Sequence, residues 1–375
     1  MRFVLSSTAL SSKLNTLSKV LNNKTPLPIL EDFVMDIREG RMYLTASDGE
    51  NVMETSVELA ESGGDMRIAI RSRDILDVLK GFSEQPLTIE IDDASRMATV
   101  NYLNGRLVMP VEDAADYPTT PVISADAKTI TIPGALLLDT VTRSLFATAQ
   151  DDLRPVMNGI CFDMKPDCLS IVASDGHKLV KSNVLTITSS TPETFILAKK
   201  PATLLKGTLT KDTDTFVTIQ HDGHNARIDY GEGVLTCRLI DGKYPNYDAV
   251  IPQNNTNEAI VDRLSLLSAL KRVTPFANGS SNLVKFHIEN DTLRLDAEDI
   301  DFAKTATEQM TCQYNGMPIS IGFKGQAFID ALGNFECQDI IIKLSDSSRA
   351  GLVIPSEQPK DENVLMLLMP MLINE

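Results

Sequence analysis

The sequence predicts an α+β protein of three similar domains, each with two helices packed on antiparallel sheets. A motif recurs at domain-sized intervals, a helix followed by strands occurs twice in each interval, and Pro-rich stretches fall at matching places. The motif is an alternating strand, a polar turn and a second strand ending in an acidic turn. It reads LEDFVMDIREGRMYLTASDG, then MNGICFDMKPDCLSIVASDG, then NLVKFHIENDTLRLDAEDID. The equivalent aspartates, Asp48, Asp175 and Asp299, stand 127 and 124 residues apart. Both ASDG copies read first as turns between strands, because glycine enters φ > 0 freely and Asp hydrogen-bonds its own backbone.

The elements follow in order. Each interval opens on a helix (STALSSKLNTLSKVL, PGALLLDTVTRSLFAT, RLSLLSALKRVTPFA) with apolar residues three and four apart. After the motif, MRIAIRSRDILDVLKGF, TFILAKKPATLLKGTL and PISIGFKGQAFIDALGNF each predict a short strand entering an amphipathic helix, followed by a pair of strands. Helices are expected over 6–24, 71–82, 134–149, 198–211, 262–274 and 324–335. DYPTTPV near Tyr117 and KYPNYDAVIP near Tyr244 mark the junctions, so domains are expected over 1–125, 126–252 and 253–375.

The 5 Cys are scattered without a CxxC pair, which argues against a disulfide framework and a structural zinc site and fits a reducing cytoplasm. No run is long enough to span a bilayer, and the N-terminus lacks a signal-peptide core. A formal net charge of -16 taken alone argues against nucleic acid. Its distribution reverses that inference. The six helical spans carry 15 basic and 5 acidic residues, a net of +10, which leaves -26 for the remainder. Such a division suits a protein that holds a polyanion on one surface and repels it elsewhere.

Catalytic constellations are not found: no phosphate loop, no nucleophile elbow, no zinc-protease motif. HDGH at His221 to His224 sits between TFVTIQ and NARIDY and reads as an Asp-Gly hairpin turn rather than a metal site. No catalytic residue, metal or cofactor is expected.

TPLPIL at Thr25, LRPVMNGICF at Leu153, ASDGHKL at Ala173, LIDGKYPNYDAVIP at Leu239 and LLMPMLI at Leu367 stand in order along the whole chain. With these marks the chain resembles the bacterial sliding clamps, the beta subunits of DNA polymerase III. The resemblance implies a DNA clamp fold: a head-to-tail homodimer closed into a ring, helices inside and sheets outside, encircling double-stranded DNA without reading its sequence. Lys24, Arg73, Lys199, Lys200 and Lys206 are the expected DNA-facing residues. Leu107 and Met109 in the first domain and Phe276 in the third are expected at the dimer interface.

The resemblance further implies a pocket for short peptides of the replicative polymerase, the clamp loader and other partners. Carried over, its lining is Met157, Ser174, Gly176, His177, Leu179, Pro245, Val250, Leu368, Met369, Pro370 and Met371. Members of the family often carry Arg where this chain has Ala249 and Leu372, and aromatic residues where it has Pro155 and Val156, which implies a less basic rim. Two other readings of the same sequence are a nucleic-acid-acting enzyme of repeated α+β domains and an acidic repeat scaffold that binds only proteins.

Overall fold

The computed structural model describes the 375 residues except Asn23, Pro26, Asp152, Thr213, Asn374 and Glu375. Pro26 of TPLPIL and the last two residues of the chain thus lie outside the described residues. Six α-helices are present among those described: α1 (Ser7–Ser18), α2 (Ser72–Leu79), α3 (Gly134–Leu145), α4 (Lys199–Thr208), α5 (Arg263–Val273) and α6 (Gly325–Gly333). Each follows directly on a strand, respectively Arg2–Ser6, Met66–Arg71, Lys128–Pro133, Glu193–Ala198, Asn257–Asp262 and Ile319–Lys324, so the strand-to-helix unit occurs six times. Where a side chain caps the junction, it does so in the expected way. Ser6 Oγ accepts from Ala9 N at 3.1 Å, and the Asp262 carboxylate accepts from Ser265 N at 2.7 Å.

The helices are shorter than the sequence suggested. α1 ends at Ser18 because Val20 N and Leu21 N turn back to the carbonyls three residues earlier, and poor helix formers follow at Asn22 and Asn23. α2 ends before Gly81, whose N–H bonds Val78 O at 3.3 Å. Burial follows the helical period. Leu10, Leu14 and Leu17 of α1 are inaccessible, and Phe328 of α6 packs against Phe286 and Phe323 with ring centroids 4.8 and 5.4 Å away.

Among the described residues all strand pairs are antiparallel, in three sheets. The first runs in the order Lys128–Pro133, Phe216–His221, Asn225–Asp229, Gly233–Arg238, Asn51–Glu58, Arg41–Ser47, Asp32–Arg38, Met66–Arg71, Gly105–Asp113, Met97–Tyr102, Pro86–Asp92, Arg2–Ser6, Glu61–Ser62. The second runs Glu193–Ala198, Gly159–Met164, Leu169–Ser174, Lys178–Val184, Glu362–Leu368, Gly351–Pro355, Asp339–Leu344, Asn257–Asp262, Gln313–Tyr314. The third is Lys304–Thr311, Thr292–Asp299, Leu283–Glu289, Ile319–Lys324. Packing gathers residues 1–138 with 203–239 into one compact unit, and 139–202 with 240–375 into another.

The repeat reappears in the pairing. A strand follows each acidic turn (Asn51–Glu58, Lys178–Val184, Lys304–Thr311), and another closes each repeat (Gly105–Asp113, Gly233–Arg238, Glu362–Leu368). Asn51–Glu58 pairs with Gly233–Arg238, Met53 opposite Leu235. Lys178–Val184 pairs with Glu362–Leu368, Val180 opposite Met366. Among the described residues, the outer edge of Lys304–Thr311 has no strand beside it. Gly105–Pro110 is paired on one edge only, with Met97–Tyr102.

The acidic turns themselves are local capping devices. Asp48 Oδ1 accepts from Glu50 N and Asn51 N at 2.9 and 2.7 Å, and Asp175 Oδ1 accepts from His177 N and Lys178 N at 2.9 Å each. Gly49 and Gly176 follow with φ of 96° and 91°, conformations that a side chain resists. HDGH makes the same turn, Asp222 Oδ1 accepting from His224 N and Asn225 N at 3.0 and 2.8 Å.

Candidate functional site

The C-terminal segment is tied down at two points. Past the strand Glu362–Leu368, Met369 N donates to His177 O and Met371 N donates to Gly322 O, each at 2.8 Å. The second bond exists because residue 322 is a glycine. A Cβ there would stand 2.6 Å from Leu283 Cδ1, 2.8 Å from Ile373 Cγ2 and 2.9 Å from Met371 O. Between these two ties opens a cleft of about 290 Å³, walled by His177, Lys178, Phe323, Lys324, Ala327 and the segment from Leu368 to Met371. Its apolar wall is largely thioether and proline, a surface that repacks around different ligands.

The mouth is polar. Lys178 Nζ lies 2.7 Å from Asp175 Oδ2. Burial works to raise the Asp175 carboxyl, but the Lys178 ammonium and the two turn amides outweigh it and hold it below the usual carboxylate range. The Arg154 guanidinium lies against Gly176, with Nη1 3.1 Å from where a Cβ would stand, and Asp151 holds its Nε at 2.8 Å. Lys324 lines the cleft and is exposed, so the cleft keeps positive charge despite Ala249 and Leu372.

Of the expected pocket residues, His177, Leu368, Met369, Pro370 and Met371 come together at this cleft. Leu179 does not line it. At 2% exposure it belongs to a core cluster with Cys161, Val172, Ile196, Tyr244, Tyr247, Leu352 and Leu367, whose side chains pack on the face it occupies. Met157 is likewise buried, its carbonyl accepting from Ala149 N at 2.8 Å. Ser174 is spent on the turn: its Oγ donates to Lys178 O at 2.9 Å and accepts from Gly176 N at 3.1 Å, and its N–H donates to the Tyr244 hydroxyl at 2.9 Å. Pro245 is exposed and lines a separate cleft of about 530 Å³ with Tyr244, Tyr247 and Lys165. Val250 is exposed at the end of the helical turn Asp248–Val250.

Residues not anticipated are Asp175 and Lys178 of the second acidic turn, and Ser280, Ser281, Phe323, Lys324 and Ala327. The last five belong to the third repeat, which the Gly322–Met371 bridge ties to the C-terminal segment. Lys324 had a legible signal, since it occupies the last strand position before a helix, as Arg71 does in the first repeat.

The basic residues sort by exposure. Lys24, Arg73 on α2 and Lys206 in the last turn of α4 are exposed and make no ion pair among the described residues, whereas Lys199 and Lys200 at the start of α4 are half-buried. Lys19 Nζ donates to Gly207 O at 2.5 Å, a cation at the carbonyl end of α4. The six observed helices hold nine basic and four acidic residues, so the sign contrast persists at smaller size. Met109 is buried, Leu107 half-buried, and Phe276 is 40% exposed on the turn Thr274–Phe276 beside the strands 292–299 and 304–311.

Comparison with known proteins agrees along the whole chain. Three family models match: the N-terminal domain of the DNA polymerase III beta subunit over residues 1–121, its central domain over 131–246 and its C-terminal domain over 248–372. The beta sliding clamp of Pseudomonas putida is 24% identical over 372 residues, covering 99% of this chain and 100% of that protein, and the beta sliding clamp of Escherichia coli K12 matches to the same extent. The crystal structure of the Pseudomonas aeruginosa sliding clamp bound to griselimycin superposes with a TM-score of 0.93 at 26% identity, covering 100% of both chains.

Proposed function

The chain belongs to the bacterial DNA polymerase III beta-subunit family and is a DNA sliding clamp for the replicative polymerase, and we propose that two copies close head to tail into a ring around duplex DNA. Each copy contributes three domains, 1–125, 126–252 and 253–375. The ring works in the cytoplasm and tethers polymerase, clamp loader and other partners through short peptides without a catalytic site of its own. No described helix is long and apolar enough to cross a membrane, in keeping with that reading.

One observation carries the ring. The chain makes two of the three strand pairs that its repeat calls for and leaves the matching edges, Gly105–Pro110 and Lys304–Thr311, uncovered. A second copy, turned so that each edge meets the other's complement, covers both and closes the figure. The register follows from the pairs already made. Leu107 stands opposite Val100 as Leu235 stands opposite Ile228, and Ala306 stands opposite Ala297 as Met53 stands opposite Ala46. Because Met53 faces Leu235, Ala306 of one copy should face Leu107 of the other.

Directly opposed antiparallel partners bring Cα atoms to about 4.5–5.5 Å, inside the roughly 4.4–6.8 Å over which a disulfide closes. Leu107→Cys with Ala306→Cys should therefore give an oxidised, denaturant-resistant dimer, while Leu107→Cys with Met310→Cys and the unaltered chain should not. Equal cross-linking in all three would refute the register, and a monomer at micromolar concentration would refute the ring.

Exposed Lys24, Arg73 and Lys206, with Lys199 and Lys200, then serve as sequence-blind phosphate contacts on the inner wall. The cleft between His177 and Met371 serves as the partner-peptide pocket, with Ser174 and Gly176 in the turn that carries His177, Met157 and Leu179 in the supporting core, and Pro245 and Val250 on a neighbouring loop. That a relative is solved with griselimycin bound supports a ligand-accepting surface in this family.

A further inference from the structure

The loop from Gly242 to Val250 presents Pro245 and Val250 outward, yet nothing in its regular structure holds it, since its one helical turn spans only Asp248–Val250. What holds it is a closed polar network. Asp248 receives two ammonium groups, Lys181 Nζ at 2.6 Å on Oδ1 and Lys165 Nζ at 3.1 Å on Oδ2. Both ammonium groups also sit over the Tyr247 ring, 5.3 and 5.1 Å from its centroid, and the Tyr247 hydroxyl donates to Asp163 Oδ2 at 2.5 Å. At the other end of the loop, the Tyr244 hydroxyl accepts from Ser174 N, in the turn that carries His177. Lys165 follows the strand Gly159–Met164, Lys181 lies within Lys178–Val184, and Leu179 of the latter strand is in the apolar cluster against which Ile251 packs.

We infer that Lys165, Lys181 and Asp248, with Tyr247 and Asp163, are positioning residues for partner-peptide binding: they fix the neighbouring loop, which carries Pro245 and Val250 of the proposed peptide site, against the strand beneath it. The inference rests on the peptide-pocket reading above. It follows from the placement of the anchors. Tyr244 and Tyr247 are buried and flank Pro245, while Asp248 stands two residues before Val250, so freeing Asp248 releases one end of the exposed segment and leaves the Tyr244 end attached. A site whose supporting shell is loosened loses affinity although its contacting residues are unchanged.

The test uses the full-length protein and a fluorescent peptide with the clamp-binding sequence of the replicative polymerase. Asp248→Asn should weaken binding about fivefold, the size of coupling found within one contact network. Lys165→Met with Lys181→Met should weaken it to a similar degree, and combining all three substitutions should add little. Tyr247→Phe, which removes one hydroxyl and keeps the ring, should give a smaller loss with an unchanged melting temperature, and Asp248→Glu should restore most of the affinity. Met371→Ala reports separately on the pocket. If Met371→Ala weakens binding while folded Asp248→Asn and Tyr247→Phe bind like the unaltered protein, the positioning role is overturned and the pocket stands. If Met371→Ala has no effect, the pocket reading falls and the inference falls with it. Additive losses in the combined variant would also overturn it, because residues acting as one unit cannot each be lost twice.

Discussion

Replacing Gly322 by Ala should release the C-terminal segment without unfolding the protein. The added methyl would lie 2.9 Å from Met371 O and closer still to Leu283 and Ile373, so either the strand or the segment must move. Overpacking of this kind costs about 1–3 kcal/mol, and the Met371 N to Gly322 O bond contributes about 0.5–1.5 kcal/mol net, for a total of about 1.5–4.5 kcal/mol. The edge strand Ile319–Lys324 is held along its length by six residue pairs to Leu283–Glu289, whereas the segment past Leu368 is held by two backbone hydrogen bonds and yields first. Most of the penalty therefore falls on docking of Met369 to Met371, shifting that local equilibrium by roughly 10-fold to 2000-fold. Hydrogen exchange at the Met371 amide should accelerate accordingly, peptide affinity should fall, and the main melting transition should move little. Unchanged exchange at Met371 together with unaltered peptide affinity would refute the claim that the Gly322 contact shapes the cleft.

Two further outcomes follow from charge. Reversing Lys24, Arg73 and Lys206 to Glu should leave the dimer intact but weaken low-salt binding to linear duplex, flattening the plot of log K against log salt by about 0.9 per phosphate contact removed; an unchanged slope would take these residues off the DNA path. Asp32 is 1% exposed, and burial pushes its carboxyl up to about 6 although Arg71 opposes the shift. The folded state therefore binds this proton more tightly than the unfolded chain, whose value is near 3.8, and the stability so gained is complete below about pH 4 and lost as pH rises through 6. Asp32→Asn should stabilise the protein by about 1–2 kcal/mol at pH 7 and by nothing at pH 4, measured as urea midpoints at both pH values; a constant difference across that range would show that Asp32 is not the titrating group.

Much of the fold was legible because it is written three times. The acidic turn recurs at domain intervals, and Asp48 and Asp175 cap their turns through the same backbone amides. The strand-to-helix units were legible from period alone, while helix ends were over-read, since apolar spacing continues through Val20 and Leu21 after the backbone has already turned. The cleft was half legible. His177 and the Met369 to Met371 segment stand in motifs, but Ser281, Phe323 and Lys324 reach the cleft through tertiary packing and the bridge at Gly322, which leave no local pattern. The burial of Leu179 was not legible for a related reason: alternation says which residues share a face, and only tertiary packing with Tyr244 and Tyr247 shows that this face is covered. The lysine pair on Asp248 lay beyond sequence reading, because Lys165 and Lys181 are distant in the chain and resemble any solvated surface charge.

A ring around DNA is held by topology and a charged surface by attraction, so the most direct measurement compares the two. The clamp, loaded onto a nicked circular duplex, should remain through a wash at about 0.5 M salt, where exposed charge pairs are largely screened, and should be lost when one cut makes the circle linear. Equal retention on circular and linear DNA, or equal loss from both, would contradict a closed ring.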